Sequence, residues 1–509
     1  ERIGSSQSLT KSGSGTLVVS GDNTYSGGTT ISQGTLSTTT NSTALGTGTV
    51  NMNGGILRTT VSLGNEISLN DVTTTTSNTI EVDGNYHVLS GKVTGAGGLT
   101  VGKVGGGNDG LALSNSANDF QGDLTITGSS AFLRLDTDGV IPDTANVLVG
   151  NGAALRLEGD ARTETIAGLS GGGRIFAVNS GGGATLIVGA GDATSEFSGQ
   201  IGGGGANNKN ISLEKIGNGT FTLAGTTSDY TGTTTITSGI LRADAADVVA
   251  TSGALGVGNI TFSGGTLQYT VNSAGTDYSA RIVDSSSAIT LDTNGQEVTL
   301  SNDFASTNTG GLTKLGTGTL TVEFPDTGSY DGLTRVDGGE LKVLNDDGAL
   351  QRWRAGNFEI NNGSTLEIGG DDTTVFQGLT WTFDSNGGGT VNLVGNTIFQ
   401  TNNNTFVTTG GLKNTISGVR YNLQNSNTIN YNVAQGTDVS GIDLEVSARH
   451  DRGSIVKTGL GTVALTDTTN NLRSDNTITI NAGALEIAEG GRLSNGNWDG
   501  AIINDGIFR

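Results

Sequence analysis

The chain has no cysteine, two prolines, one methionine and two histidines in 509 residues. Without cysteine there is no disulfide framework, which is compatible with a bacterial exterior location that uses none. His87 and His450 stand alone, with no second His or Cys nearby, so neither is a good metal-ligand candidate. Their contexts, E-V-D-G-N-Y-H-V-L and S-A-R-H-D-R-G, place His87 on a strand and His450 in a polar surface turn. Aromatics make up 5% and apolar residues 33%, little for a compact globule. Such a low content suits a thin structure in which alternate side chains feed a narrow core. Basic residues number 26 against 48 acidic, a formal net charge of −22. That balance argues against nucleic acid, whose phosphates need clustered Lys and Arg, and against anionic membrane surfaces. No apolar run approaches the ~18 residues of a membrane helix. No signal peptide is recognisable, and a chain that starts at Glu1 is expected to be a processed or excised segment.

Glycine is what the chain has in quantity: 86 residues, punctuating β-branched runs such as Thr234–Ile236 and Ile478–Ile480. The organising stretch is Leu312–Leu341, L-T-K-L-G-T-G-T-L-T-V-E-F-P-D-T-G-S-Y-D-G-L-T-R-V-D-G-G-E-L. It reads as strands at Leu312–Phe324 and Leu333–Val343, joined by a turn with Tyr330 and Gly332. Residues 9–36 repeat it with Lys11, Tyr25, Gly27 and Gly34; residues 211–241 with Lys215, Tyr230, Gly232 and Gly239. Residues 455–485 repeat it with Lys457, Leu472 in place of the aromatic, and Gly483. A degenerate copy at 99–135 keeps Lys103, Phe120 and Gly122 but has Ser129 where the late glycine should be. A second piece recurs as well: Ala44–Leu57 matches Ala254–Leu267 position for position. Five heads of one unit define a repeat protein.

Helix signals are almost absent; Ala243–Ala250 is allowed a turn at most. Short strands alternate Thr, Ser or Asn with Val, Ile or Leu, as strands with one buried face do. The architecture that satisfies these features is all-β: one continuous right-handed parallel β-helix over residues 1–509. Each coil gives two or three strands, and backbone groups pair coil to coil at ~4.8 Å. At roughly 20–25 residues per coil the length corresponds to about 20–25 coils, a rod on the order of 100 Å long. The tyrosines and Phe120 are read as turn packing. The competing architecture is a row of antiparallel β-sandwiches of ~100 residues. The unequal spacing of the heads, and the lack of linker-like stretches, disfavour it.

The head, G-x-G-T-L/F-x-L/V … Y-x-G-x-T-x-I-x-x-G-x-L, resembles the autotransporter-associated β-strand repeat of bacterial surface and secreted proteins. The resemblance implies a large extracellular protein acting in adhesion, aggregation or surface coating. The membrane β-barrel that often ends such proteins has no counterpart after Leu485: no series of ~10-residue amphipathic strands follows. Asn504–Arg509 echoes Asn53–Arg58, so the chain stops inside a repeat. Open coil ends expose strand edges, and head-to-tail self-association through Glu1–Leu17 and Leu493–Arg509 would cover them.

Catalytic signatures are missing. His450-Asp451 has no G-x-S-x-G or G-D-S-G partner, so serine-protease passengers are not matched. Parallel β-helices also host polysaccharide lyases and hydrolases, which need convergent carboxylates. The doublets Asp346-Asp347 and Asp371-Asp372 place neighbours on opposite faces of a strand and read as turn acids. No calcium-binding array or loop is present, the glycine strings at 181–183 and 202–205 lack a phosphate-cradle context, and the threonine runs lack the regular spacing of an ice-binding face. Cofactors and metals are therefore not expected. The sequence predicts a non-enzymatic stalk, adhesin passenger or filament subunit. A carbohydrate-active β-helix enzyme and a glycan-binding adhesin remain as alternatives, the latter with Trp353, Trp381 and Trp498 as candidate aromatics and surface glycans as partners.

Overall fold

The structure is a computed structural model. It describes the chain apart from residues 1–2, 72–77, 106, 108, 179–180, 249–250, 324–331, 345–350, 354–355, 377, 385–387, 400–403, 424–426, 490–491 and 495–497. Two compact units divide it, Glu1–Ile260 and Thr261–Arg509. Both are parallel β-solenoids, with about 19 turns in all. Fewer turns than expected fit in the length because some coils are long. Arg420 lies opposite Arg449, whereas Val50 lies opposite Ile67.

In the first unit, parallel sheets run along the stack, each strand paired to its counterpart one coil away. One sheet has eight strands and another, from Tyr86–Leu89 to Gln200–Ile201, has six. A third face is formed by Arg162–Ile166, Ala184–Val188, Ile211–Lys215 and Thr234–Ile236. Side chains of one kind align because the pairing is in register. Leu111, Leu133, Leu155, Ile175 and Ile201 form one interior ladder and are each 0–1% exposed.

The second unit repeats the design. Val298, Leu320, Leu341, Leu366, Val391 and Ile416 make a buried ladder on successive coils. A second interior ladder is aromatic: Phe358, Trp381, Phe406 and Tyr431 stack with ring centroids 4.3, 5.6 and 6.0 Å apart. Offset ring stacking of this kind adds to the burial of large apolar surfaces.

The expected pair of strands in the head unit is in fact four: Leu312–Leu315, Thr319–Glu323, Thr334–Asp337 and Glu340–Leu344. The breaks fall at Gly316 and Gly318, with φ 74° and 92°, and at Gly338 and Gly339, with φ 132° and 61°. These left-handed angles suit glycine and turn each strand from one face to the next. Ala243 ends a strand instead of starting a helix. The single α-helical turn lies at Ala206–Lys209, among the described residues.

Candidate functional site

The marker lysines occupy inward positions of their strands. Lys215 sits in register between Val188 and Ile236, and Lys314 between Leu291 and Val336. An aliphatic stem can fill a core position if the ammonium reaches a polar exit. Here the exit is a set of three carbonyl oxygens. Lys215 Nζ donates to Ile216 O at 2.6 Å, Gly217 O at 2.9 Å and, one coil on, Ser238 O at 3.2 Å. Lys314 donates to Leu315 O, Gly316 O and Gly338 O; Lys457 to Thr458 O, Gly459 O and Ala482 O; Lys11 to Ser12 O, Gly13 O and Gln33 O. Three donors meet three acceptors, so each bracket ties a Gly corner to the corner of the next coil. Burial draws Lys215, Lys314 and Lys457 down to about 8, which leaves the ammonium the major form at neutral pH. Lys103, in the degenerate head, reaches Gly107 O, four residues on, among the described residues.

The other signature residues serve the same joint. Tyr25 and Tyr230 are fully buried, and their hydroxyls hydrogen-bond Thr29 Oγ1 at 2.6 Å and Thr234 Oγ1 at 2.7 Å. Phe120 is likewise buried. A Cβ at Gly27 would lie 2.6 Å from Gln7 O, at Gly232 2.4 Å from Ile211 O, at Gly332 2.1 Å from Gly311 N and at Gly483 2.4 Å from Gly461 O. Tyr330 lies outside the described residues, as do Asp346 and Asp347.

Several sequence readings change. His450 is on the strand Arg449–Asp451, not in a surface turn, and is fully buried. Its backbone N–H donates to Asn470 Oδ1 at 2.7 Å, and desolvation lowers the imidazole to about 4, so it is neutral. The charged neighbours that suggested a turn are satisfied sideways. Arg420 and Arg449 both reach Asp451, at 3.2 and 3.3 Å. Trp381 belongs to the interior stack and is not an exposed glycan platform. Trp498 is half-buried, with Nε1 donating to Arg473 O at 2.9 Å. Trp353, Asp371 and Asp372 lie on strands whose side chains there are outside the described set.

Among the described residues, two grooves on the outer surface stand out. In the second unit, a groove of about 440 Å³ is lined by Asp337, Glu359 and Asp384 with Arg335 and asparagines. Its acids are engaged: Glu359 pairs with Arg335 at 2.5 Å, and Asn362 bonds Asp337. No group of three or more His, Cys, Asp or Glu able to hold a metal occurs among the described residues.

The first unit carries the other groove, about 570 Å³, on its six-stranded sheet. Its wall is an alternating stack from three successive coils. The Arg156 guanidinium lies 4.6 Å from the Phe132 ring centroid and 5.5 Å from that of Phe176; Arg174 covers Phe176 at 4.2 Å. On the same strand as Phe132, Arg134 lies 4.3 Å over Tyr86, which is two coils back. Cation–π contacts of this geometry hold the guanidinium planes in place. Among the described residues, no Asp or Glu lines the groove. The sequence carried the signal in A-F-L-R-L at 131–135, A-L-R-L-E at 154–158 and G-R-I-F-A at 173–177. It is legible only once the coil register is known.

The comparisons agree with the repeat reading. The family described as Passenger-associated-transport-repeat matches residues 9–37, 213–243 and 312–343. These are three of the five heads, and they support an autotransporter-passenger type of repeat β-solenoid. The chain is similar to the adhesin BmaC autotransporter of Brucella suis biovar 1, 30% identical over 98% of this chain. It is also similar to the uncharacterized lipoprotein YdeK of Escherichia coli K12, 26% identical over 55% of the chain. It spans 13% of the length of the first relative and 23% of the second. No solved structure matches.

Proposed function

We propose that the chain is an extracellular segment of a bacterial surface adhesin, a β-solenoid that carries its outer faces away from the cell for contact with a host or a neighbour. The observation that supports this most is the continuous likeness of 98% of the chain to part of an adhesin autotransporter, together with a bracketed solenoid repeat in both units. The proposed role is mechanical. Coil-to-coil hydrogen bonds run along each stack, and lysine brackets lock the corners. A non-enzymatic role is favoured by the engagement of Glu359 and Asp337 in the acid-lined groove.

The test is display of this chain on the surface of a non-adherent bacterium through a standard anchor. Increased attachment to epithelial cells or to matrix-coated wells supports the reading. Attachment no greater than that of the anchor alone contradicts it, and turnover of a polysaccharide by the purified chain would favour the enzyme alternative.

Head-to-tail association of identical chains is a finer proposal. The exposed apolar residues Val18, Ile502 and Ile503, on the strands Thr16–Val19 and Ile502–Asn504, favour it. Electron microscopy of the purified chain should then show filaments that lengthen with concentration; particles of constant length would oppose it.

A further inference from the structure

We propose that the groove along Phe132, Arg156, Phe176 and Arg174 binds a sugar carboxylate, that of an acidic glycan lying along the coil stack. This rests on the adhesin reading and names the class of ligand that one face would take.

The argument begins with charge. In a chain of net charge −22, this cavity has two arginines and, among the described residues, no carboxylate in its lining, unlike the acid-lined groove of the second unit. The arginines are incompletely used. Arg174 donates from Nε to Gly202 O at 2.7 Å and from Nη2 to Gly203 O at 2.5 Å, so its fork is held by neutral carbonyls. Arg156 donates from Nη2 to Glu158 at 3.3 Å, and its buried Nε has no hydrogen-bond partner among the described residues. Arg134, outside the groove, differs: Asp136 takes both its Nε and its Nη2. Asp136 thus takes two donors of the arginine away from the cavity, whereas Glu158 takes a single Nη2 of Arg156 and, among the described residues, no carboxylate hydrogen-bonds Arg174.

Geometry points the same way. The phenyl rings of Phe132 and Phe176 lie 4.6 and 5.5 Å from the Arg156 guanidinium and fix its plane in the groove wall. A planar fork of this kind matches a carboxylate bidentately and does so at little entropic cost when its plane is already held. The floor consists of glycines and alanines, Gly152, Gly172, Gly173 and Ala154 among them, which gives room for a ring. Ser130, Ser198, Gln200 and Thr227 supply neutral polar groups at the rim, suited to sugar hydroxyls. A cavity of 570 Å³ falls in the ordinary range for ligand sites. Successive coils repeat at ~4.8 Å, comparable to the length of one sugar in a chain.

The experiment is calorimetric titration of the purified 509-residue chain at low and at moderate salt. The probes are a hyaluronate hexasaccharide (internal uronates), sialyllactose (a terminal carboxylate), and the neutral controls cellohexaose and lactose. Binding of one or both acidic sugars, with neither neutral sugar bound, is the expected result; which acidic sugar binds distinguishes an internal from a terminal carboxylate. Arg156→Gln and Arg174→Gln together should weaken binding by about tenfold or more, with Arg134→Gln close to unchanged. Thermal melts of each variant establish folding, and Gln200→Ala, which leaves the stack intact, should weaken binding independently. Equal affinity for acidic and neutral sugars, no acidic sugar bound, or unchanged affinity in the folded double variant would each overturn the proposal. Adhesion by displayed cells that survives the double variant would remove the groove and leave the adhesin reading standing.

Discussion

Lys215 Nζ lies 3.2 Å from the carbonyl oxygen of Ser238, a residue one coil further along the stack. The same relationship joins Lys314 to Gly338 and Lys457 to Ala482. A buried ammonium with all three donors on backbone carbonyls is a substitute for the apolar residue that its ladder otherwise carries. It exchanges some burial for a covalently anchored tie between two corners whose carbonyls have left the sheet ladder.

Lys215→Met preserves the stem and removes the donors, leaving three buried carbonyls without the ammonium. The expected cost is roughly 2–4 kcal/mol, read as a lowered midpoint in urea. Lys103→Met, in the degenerate head, should cost less than about 1 kcal/mol, because its bond to Gly107 O is local. Equal effects at the two positions would contradict the bracket.

The late glycine is required by shape. At Gly239 φ is 63°, and a Cβ would lie 2.3 Å from Gly217 O, backbone that cannot yield. Gly239→Ala should destabilise by about 1–3 kcal/mol. Gly275, with nothing within 4 Å of a Cβ, is the control, and Gly275→Ala should change stability by less than about 0.5 kcal/mol. Thermal denaturation of both variants decides this.

Tyr230→Phe keeps the ring and deletes the hydroxyl that meets Thr234 Oγ1. A loss of about 1 kcal/mol is expected. A ligand-stacking role would instead leave stability unchanged, and the full burial of the ring already speaks against it.

Opposite pH dependences are expected of the two units. Glu164, in the first, is fully buried, and desolvation pushes it up to about 8 although Ile141 and Val140 N–H groups donate to it. The folded state keeps its proton while the unfolded chain releases it near 4.5. Its contribution is therefore present below pH 4.5 and lost as pH rises toward 8. His450, in the second unit, is lowered to about 4 by burial, against an ordinary 6.5. Its contribution is present above pH 6.5 and lost as pH falls toward 4. Hydrogen exchange followed by mass spectrometry at pH 5 and pH 8 should show protection shifting from the first unit to the second. Glu164→Gln should flatten the first trend.

The repeat made the coil legible. Lys, Gly-x-Gly, aromatic and late Gly recur in order, and in-register parallel pairing is the arrangement that makes such recurrence useful. What the pattern could not reveal was the lysine's direction, since an inward Lys in a strand looks like any surface charge until the Gly corner supplies acceptors. His450 misled for a related reason: R-H-D-R reads as polar, but Asp451 pairs with Arg449 and with Arg420 of the neighbouring coil, and the imidazole turns inward. The Phe–Arg groove was hidden because its members are separated by whole coils of unequal length. Register, a tertiary quantity, brings them together.

Coil register is the central claim, and a cysteine-free chain allows it to be tested directly. Glu214 and Thr235 are in-register neighbours on adjacent coils of the first unit, at the ~4.8 Å strand spacing that a disulfide can bridge. With Glu214→Cys and Thr235→Cys together, mild oxidation should give an intramolecular disulfide in the folded protein, detected by its mass and its faster migration in non-reducing gels. Glu214→Cys with Thr234→Cys, one residue out and on the opposite face, should stay reduced. A cross-link in the second pair but not the first, or in neither, would contradict the stacked parallel solenoid.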